Sequence, residues 1–303
     1  MEVRNLGDSD VRVSRVGLGC NNFGGRIDRD ATRAVVDAAL DVGVTFFDTA
    51  DIYGNRGGSE RLLGEILEGR RDQVVLATKF GMDMGDGANA RGSAAYVLHA
   101  IEGSLERLRT DHVDVYYMHQ PDPETPIAET LGALDELVRG GKVRAIGCSN
   151  FTADQLAEAD RVARENGTAR FVAIQNQYSL LELGDDETVL PLCRELGVSY
   201  VPYFPLASGL LTGKVRRGER GPEGTRLAGR EFDAETFDRL EALERFAAER
   251  GRTLLELAVS APASTHGIAS VIAGTTRPEQ VRANAAAGSW ELTADELEAL
   301  SRI

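Results

Sequence analysis

Short apolar runs rich in valine alternate along the chain with longer segments in which apolar residues recur every three or four positions. The short runs predict β-strands, and the longer segments predict amphipathic helices between them. Strand starts recur about every 30 residues, which is the length of a β-α unit. The predicted strands are residues 15–18, 44–48, 74–78, 113–118, 143–146, 171–174, 199–204 and 269–273.

The predicted strands are apolar on both faces, as expected for a parallel sheet that helices cover. The sequence therefore predicts one (β/α)8 TIM barrel domain over residues 1–303, with an N-terminal β-hairpin around Gly7 to Asp10. Extra C-terminal helices are predicted at 278–287 and 294–300. A doubly wound sheet is the competing fold. It favours a G-x-G-x-x-G turn, and residues 17–22 lack the third glycine.

A charged, glycine-rich segment at 212–232 interrupts the regular alternation of strands and helices. It is too long for a plain connection, so we expect a functional loop. The segment contains Arg216, Arg217, Arg220 and Arg226.

Composition excludes several classes of partner. The formal net charge is −14, and such a surface repels nucleic acid and anionic membranes, so we expect neither as a partner. No apolar run approaches the ~20 residues of a membrane-spanning helix, and we expect no signal peptide. The three cysteines are widely spaced. That spacing fits a cytoplasmic protein and predicts neither a disulfide framework nor a metal site.

Three ionisable side chains follow predicted strands at positions that share the inward parity of a barrel. Asp48 follows Val44 and Phe46, Lys79 follows Val75 and Ala77, and His119 follows Val113, Val115 and Tyr117. Because active sites lie at the carboxyl ends of barrel strands, we expect these side chains to converge there, with Tyr53 on the loop after Asp48.

This set of residues can handle a proton. A tyrosine hydroxyl has an ordinary pKa of about 10, and a nearby ammonium lowers it. Lys79 can supply that ammonium, and Asp48 can hold Lys79 charged. Tyr53 can then give a proton to a carbonyl oxygen that neutral His119 orients. Lysine is rare in this arginine-rich chain, occurring only as Lys79, Lys142 and Lys214, which indicates a specific requirement at position 79.

These residues lie in motifs that resemble those of the aldo/keto reductases. The motifs are DTADIYG at 48–54 with Ser59-Glu60, TK at 78–79, YMHQPD at 117–122, GKVRAIGCSNF at 141–151, PLASGLLTGK at 205–214 and AGTTRPEQ at 273–280. The match runs in the family's order from Leu6 to about Ala287. The resemblance implies a barrel that reduces carbonyl compounds with NADP(H), and a catalytic tetrad of Asp48, Tyr53, Lys79 and His119.

The resemblance also implies a cofactor site with three parts. Its nicotinamide contacts match Ser149, Asn150 and Gln175, with Tyr203 as the stacking ring. Its pyrophosphate contacts match Leu206, Ser208, Gly209, Leu211 and Lys214. Its adenosine contacts match Gly274, Thr276, Arg277, Gln280 and Asn284.

The local chemistry agrees with this assignment. Residues 274–277 precede a predicted helix N-terminus, where backbone N–H groups favour phosphate. The fork of Arg277 suits a 2′-phosphate, which favours NADP over NAD. Segment 212–232 could fold over the pyrophosphate as a lid.

The expected substrate is a small aldehyde, ketone or sugar bound by Tyr53, His119, Asn21, Asn22 and Gln120. Many relatives carry aromatic residues near position 21 and after the catalytic histidine, whereas this chain has Asn21, Asn22 and Gln120. This departure favours a hydroxylated or sugar-like substrate. Two alternatives remain open: a regulatory subunit that binds NADP(H) with little turnover, and a sugar dehydrogenase that prefers NAD.

Overall fold

The computed structural model describes residues 1–303 and confirms the predicted barrel. An antiparallel hairpin pairs β1 (Val3–Asn5) with β2 (Arg12–Ser14). The barrel strands are β3 (Val16–Gly19), β4 (Phe46–Asp48), β5 (Val75–Phe80), β6 (Val113–Met118), β7 (Val143–Ser149), β8 (Phe171–Gln175), β9 (Ser199–Tyr200) and β10 (Val271–Gly274). They are parallel in the spatial order β10-β3-β4-β5-β6-β7-β8-β9.

Isolated parallel bridges from Tyr200 to Ile268 and from Tyr203 to Ile272 close the barrel between β9 and β10. The strand predicted at 199–204 is regular only over Ser199–Tyr200. Pro202 interrupts it, because proline has no N–H to donate to a neighbouring strand.

Helices cover the outside of the barrel. They are α1 (Arg29–Asp41), α2 (Tyr53–Ile66), α3 (Ala94–Leu108), α4 (Ile127–Arg139), α5 (Ala153–Asn166), α6 (Val189–Leu196), α7 (Ala234–Ala248), α8 (Leu254–Ser264), α9 (Pro278–Ala287) and α10 (Ala294–Leu300). The two closing helices, α9 and α10, match their predicted bounds. Side-chain caps fix several helix starts, as where Asp28 accepts a hydrogen bond from the Ala31 N–H. No helix is long and apolar enough to span a bilayer.

The hairpin plugs the amino-terminal end of the barrel. Leu6, Val11 and Val13 are fully buried and pack in one apolar cluster with inward residues such as Phe46 and Val115. The cluster confirms that residues of the predicted parity line the barrel interior. Val44 and Val113 are exceptions, since Val44 precedes its strand and Val113 opens its strand, and both pack in the outer cluster against the helices.

Candidate active site

The four predicted tetrad residues meet at the carboxyl ends of neighbouring strands. Asp48 ends β4, Lys79 is near the end of β5, and His119 directly follows β6. Asp48, Tyr53 and His119 line one cavity of about 220 Å³. Lys79 lies behind Tyr53 and is completely buried.

Lys79 is held by oxygen atoms on the β4 side. Its Nζ donates to Asp48 Oδ2 at 2.6 Å and to the Thr49 carbonyl oxygen at 2.9 Å. The same Nζ lies 5.1 Å from the centroid of the Tyr53 ring. Burial favours the neutral amine, but the negative charge of Asp48 and the hydrogen bonds with Asp48 and Tyr53 outweigh it, so the pKa of Lys79 lies above its ordinary value. The ammonium is therefore charged where it faces Tyr53.

Gln175 holds the other oxygen of Asp48. Its Nε2 donates to Asp48 Oδ1 at 2.9 Å, and both side chains are almost completely buried. Gln175 was predicted to contact the nicotinamide, but its contact with the Asp48 carboxylate was not predicted. Gln175 shares the inward parity of Ala173, and that signal could have indicated the contact.

The expectation for the Tyr53 pKa was wrong in its net direction. Lys79 does lower the pKa of Tyr53, but the burial of the hydroxyl is the larger effect and raises it above its ordinary value. Tyr53 is therefore a neutral phenol at physiological pH. Such a group can donate a proton, whereas a phenolate could only accept one.

His119 is neutral, as the sequence predicted. Burial, and secondly the positive charge of Lys79, lower its pKa to about 3. The ring meets the Tyr53 ring edge-on with 5.7 Å between centroids. Its buried Nδ1 has no hydrogen-bond partner in the protein. A neutral imidazole and a neighbouring phenol can each donate a hydrogen bond to the same substrate oxygen.

A left-handed turn holds Tyr53 in place. Residues 54–57 have positive φ angles, including the non-glycine residues Asn55 and Arg56, and α2 becomes right-handed only after Gly57. A side chain at Gly54 would place its Cβ 2.4 Å from the Phe23 carbonyl oxygen. This conformation costs about 1–2 kcal/mol per non-glycine residue, and such strain is often found at functional sites.

The predicted nicotinamide contacts surround the same cavity. Ser149, Asn150, Gln175 and Tyr203 all line it. The Tyr203 hydroxyl donates to Asn150 Oδ1 at 2.8 Å, and Asn150 Nδ2 donates to the His119 carbonyl oxygen at 2.8 Å. Hydrogen bonds thus link the predicted cofactor contacts to the histidine.

The predicted pyrophosphate contacts lie on a 3-10 segment, Ala207–Thr212, that follows β9. Ala207, Ser208 and Gly209 have positive φ angles, a conformation that changes the direction of successive N–H groups. Lys214 follows the segment, is exposed and forms no ion pair. The backbone and one free cation are thus available to an anion.

The predicted adenosine contacts lie between β10 and α9. Gln280 Oε1 accepts the Thr276 N–H at 2.8 Å, which ties the residue before the helix N-cap to the first turn of α9. Arg277 is exposed and forms no ion pair, whereas Asn284 is buried. Gly274 lines the central cavity, so this group begins at the tetrad and extends outward.

Of the three amide residues predicted to bind the substrate, only one lines the cavity. Asn21 lines the cavity, and its buried Oδ1 has no partner. Asn22 does not line it, because its side chain donates to the Thr275 carbonyl oxygen at 3.0 Å and accepts from Arg226 at 2.9 Å. Gln120 is exposed beside the cavity and does not line it.

Phe204 is a cavity residue that the sequence reasoning missed. It is 37% exposed at the mouth, has a φ of 56°, and lies 5.2 Å from the guanidinium of Arg226. The prediction of a polar substrate did not take this aromatic side chain in the cavity wall into account. No local pattern distinguishes Phe204, because its exposure depends on the strained turn before Pro205.

Segment 212–232 reaches the mouth of the cavity through Arg226, which lies over the Phe204 ring. Its arginines form two kinds of contact. Exposed acids of α7 and of the segment itself bind three of them: Arg216 pairs with Glu244, Arg217 with Asp238 and Glu241, and Arg220 with Glu231. Arg226 instead reaches Asn22, and Arg26 donates to the Gly224 carbonyl oxygen at 3.0 Å. The segment is therefore tied to the loop after β3 by these two contacts.

The site is therefore a barrel cavity in which a buried lysine–carboxylate pair lies behind a tyrosine and next to a neutral histidine. A model of the aldo/keto reductase family matches residues 15–303. The chain belongs to this family and is an oxidoreductase.

Its relatives carry names of two kinds. An uncharacterized oxidoreductase of Bacillus subtilis (strain 168), YrpG, is 43% identical over 241 residues, 76% of this chain and 73% of that protein. Aldo-keto reductase YhdN of the same organism is 34% identical over 317 residues, 100% of this chain and 93% of that protein. A probable voltage-gated potassium channel subunit beta of Oryza sativa subsp. japonica is 35% identical over 298 residues, 94% of this chain and 90% of that protein.

Proposed function

We propose that this protein is an NADP(H)-dependent oxidoreductase that transfers hydride reversibly between nicotinamide and an aldehyde, ketone or sugar carbonyl, with Tyr53 as general acid and base. One observation supports this function above all. The buried Lys79–Asp48 pair lies directly behind a neutral Tyr53, on the cavity that neutral His119 shares.

The protein residues around the cavity suit a nicotinamide cofactor. Asn21 presents a buried, unpartnered acceptor on the cavity that Ser149 and Gln175 also line. Lys214 and Arg277 are exposed cations without carboxylate partners on a protein of net charge −14, at two of the predicted phosphate positions. When bound, the nicotinamide ring would supply or accept the hydride.

The residues of this chain would manage the proton and the charge. In the reducing direction Tyr53 donates its hydroxyl proton to the carbonyl oxygen, and the ammonium of Lys79 stabilises the phenolate that remains. Asp48 keeps Lys79 charged at 2.6 Å, and Gln175 keeps Asp48 in place. Neutral His119 orients the same carbonyl oxygen. The proton returns to Tyr53 from solvent.

Tyr53→Phe tests the catalytic assignment. We expect NADPH consumption with a panel of aldehydes, ketones and sugars to fall by about 100-fold or more, because the proton donor is removed. NADPH affinity, measured by fluorescence titration, should persist. Tyr178→Phe is the matched control, since the Tyr178 hydroxyl donates to Asp186 and the residue does not line the cavity. Unchanged turnover in Tyr53→Phe would refute the assignment.

The preference for NADP depends on Arg277. In Arg277→Ala we expect NADP(H) affinity to fall by about tenfold or more, because a charge-assisted hydrogen-bond pair to a phosphate is lost, while NAD(H) affinity stays within about twofold. Dissociation constants for both cofactors would check this. Equal losses for the two cofactors would refute this role of Arg277, and tighter binding of NAD(H) than of NADP(H) by the wild type would favour the dehydrogenase that prefers NAD.

Asn21, the one predicted polar residue that lines the cavity, supports a hydroxylated or sugar-like substrate. Comparison of kcat/KM for aldoses and for benzaldehydes tests this hypothesis, and higher values for the benzaldehydes would assign the greater role to Phe204. A regulatory role is the second candidate, because a relative over most of this chain is named as a probable potassium channel subunit beta. NADPH binding without turnover of any carbonyl would favour that role.

A further inference from the structure

A second buried polar cluster lies behind the candidate active site, between β5 and helices α2 and α3. At its centre Glu60 of α2 is completely buried and accepts two hydrogen bonds. Thr78 Oγ1 donates to one carboxylate oxygen at 2.6 Å, and Arg107 Nε of α3 donates to the other at 2.6 Å. Both oxygens of Glu60 are therefore satisfied, and the charge of Arg107 is committed to them.

Asp51 adds a second carboxyl group to this cluster. It is 2% exposed, and its buried Oδ1 has no hydrogen-bond partner. Its backbone N–H donates to the Lys79 carbonyl oxygen at 3.1 Å, and the Tyr53 N–H donates to the Ala50 carbonyl oxygen at 3.1 Å. Asp51 thus lies in the turn that carries Tyr53, two positions before it.

The charges around Asp51 oppose its ionisation. The groups that face it are Glu60 of α2, Arg107 and Tyr96 of α3, Lys79 of β5 and Tyr116 of β6. Arg107 is bound to Glu60 and Lys79 to Asp48, so an ionised Asp51 would be a buried anion next to another anion. Burial, and then Glu60, raise the pKa of Asp51 to about 7 against the opposing effects of Arg107 and Lys79.

We propose that Asp51 is a positioning residue for Tyr53: its neutral carboxylic acid lets turn 49–52 pack against Glu60, and loss of the proton drives the turn away and moves Tyr53 out of line with His119. The turn is short and attached to β5 through the Lys79 carbonyl, so a displacement of Asp51 reaches Tyr53 directly. The inference rests on the proposed function for its effect on turnover, but not for the movement itself.

The pH profile of kcat tests the effect on turnover. Titration of His119, Lys79 or Tyr53 is not expected between pH 6 and 8, because the His119 pKa lies far below this range and those of Lys79 and Tyr53 lie above their ordinary values. With the full-length protein, NADPH and 4-nitrobenzaldehyde, we expect wild-type kcat to fall by about tenfold from pH 6 to pH 8.5, with a midpoint near 7.

Asp51→Asn, which carries no titratable proton, should lose this midpoint. Asp72→Asn should keep it, because Asp72 is exposed in the turn Arg71–Gln73 and has no side-chain partner. A profile that is the same in the wild type and in Asp51→Asn would refute the proposal.

A direct observation of Tyr53 separates this inference from the proposed function. In protein labelled with ¹³C at tyrosine Cζ, the resonance absent from Tyr53→Phe identifies Tyr53. We expect it to shift with a midpoint near pH 7 in the wild type and to lack that midpoint in Asp51→Asn. A Tyr53 resonance that is constant through pH 7 in the wild type overturns the proposal, even if Asp51→Asn does not fold. A shifting resonance without turnover of any carbonyl supports it while refuting the proposed enzyme.

Discussion

Lys79 and Asp51 are buried near each other, and their surroundings have opposite effects on their charge. Lys79 has Asp48 and the Thr49 carbonyl as partners, so it is buried as an ion. Asp51 has no partner for one oxygen and lies near Glu60, so below about pH 7 it is buried as a neutral acid. Partners, rather than depth, decide which form of a buried group is stable.

The stability of the protein should therefore depend on pH through Asp51. Its pKa is 3.8 in an ordinary environment and about 7 in the fold, so the unfolded chain releases this proton first as pH rises. The contribution of Asp51 to folding is complete below about pH 4 and is lost as pH rises to 7. Since a tenfold difference in proton affinity is worth about 1.4 kcal/mol, the loss is about 4 kcal/mol.

Urea unfolding at pH 4.5 and pH 8 checks this sign. We expect the unfolding free energy of Asp51→Asn to rise by a few kcal/mol relative to wild type between these two values, because asparagine does not ionise. Asp72→Asn, at an exposed site, should follow wild type. If the unfolding free energies of Asp51→Asn and wild type differed by the same amount at both pH values, the titrating proton would belong to another group.

Among strands and loops, the predicted arrangement succeeded where it depended on local periodicity. The inward positions of Asp48 and Lys79 near the strand ends follow from alternation within each strand. The bounds of α9 and α10 follow from their apolar positions, with a proline opening α9 and a Thr293 capping box opening α10. Contacts between distant segments could not be predicted in this way. Arg226 and Asn22 are separated by 204 positions, and the burial that raises the Tyr53 pKa comes from several elements at once.

Gly147 of β7 is required by the packing inside the barrel. A Cβ at this position would lie 2.4 Å from Tyr117 Cε1 of β6 and 2.9 Å from the Ala173 carbonyl oxygen of β8. We expect Gly147→Ala to reduce the unfolding free energy by about 1–3 kcal/mol, because a close-packed interior resists an added methyl group.

Gly132→Ala is the matched control for this substitution. Gly132 lies inside α4 with nothing within 4 Å of an added Cβ, so alanine should stabilise the protein by about 0.5–1 kcal/mol. Denaturant midpoints of both variants and of wild type would test the pair. A neutral Gly147→Ala would show that the Tyr117 ring can move aside.

For the molecule as a whole, we propose a single unfolding unit over residues 1–303, because the chain forms one barrel. The sequence also predicts a single domain over these residues. The only tryptophan, Trp290, is buried in an apolar cluster with Leu211, Phe237 and Leu257, near the C-terminal helices. Its fluorescence therefore reports on one side of the molecule, whereas far-ultraviolet circular dichroism reports on all helices. We expect the two urea transitions to coincide. An earlier fluorescence transition would indicate a separate C-terminal unit.

The hairpin plug and the closure of the barrel also constrain the order of folding. Leu6, Val11 and Val13 belong to the hairpin, which precedes every barrel strand in the sequence. The interior that buries them is complete only when β10 has paired with β3, through Val271 and Val16. During synthesis the first segment made must wait for nearly the last one. Such non-local pairing slows folding and leaves strand edges unpaired in the meantime. A nascent chain of this protein therefore needs protection from aggregation until β10 has left the ribosome.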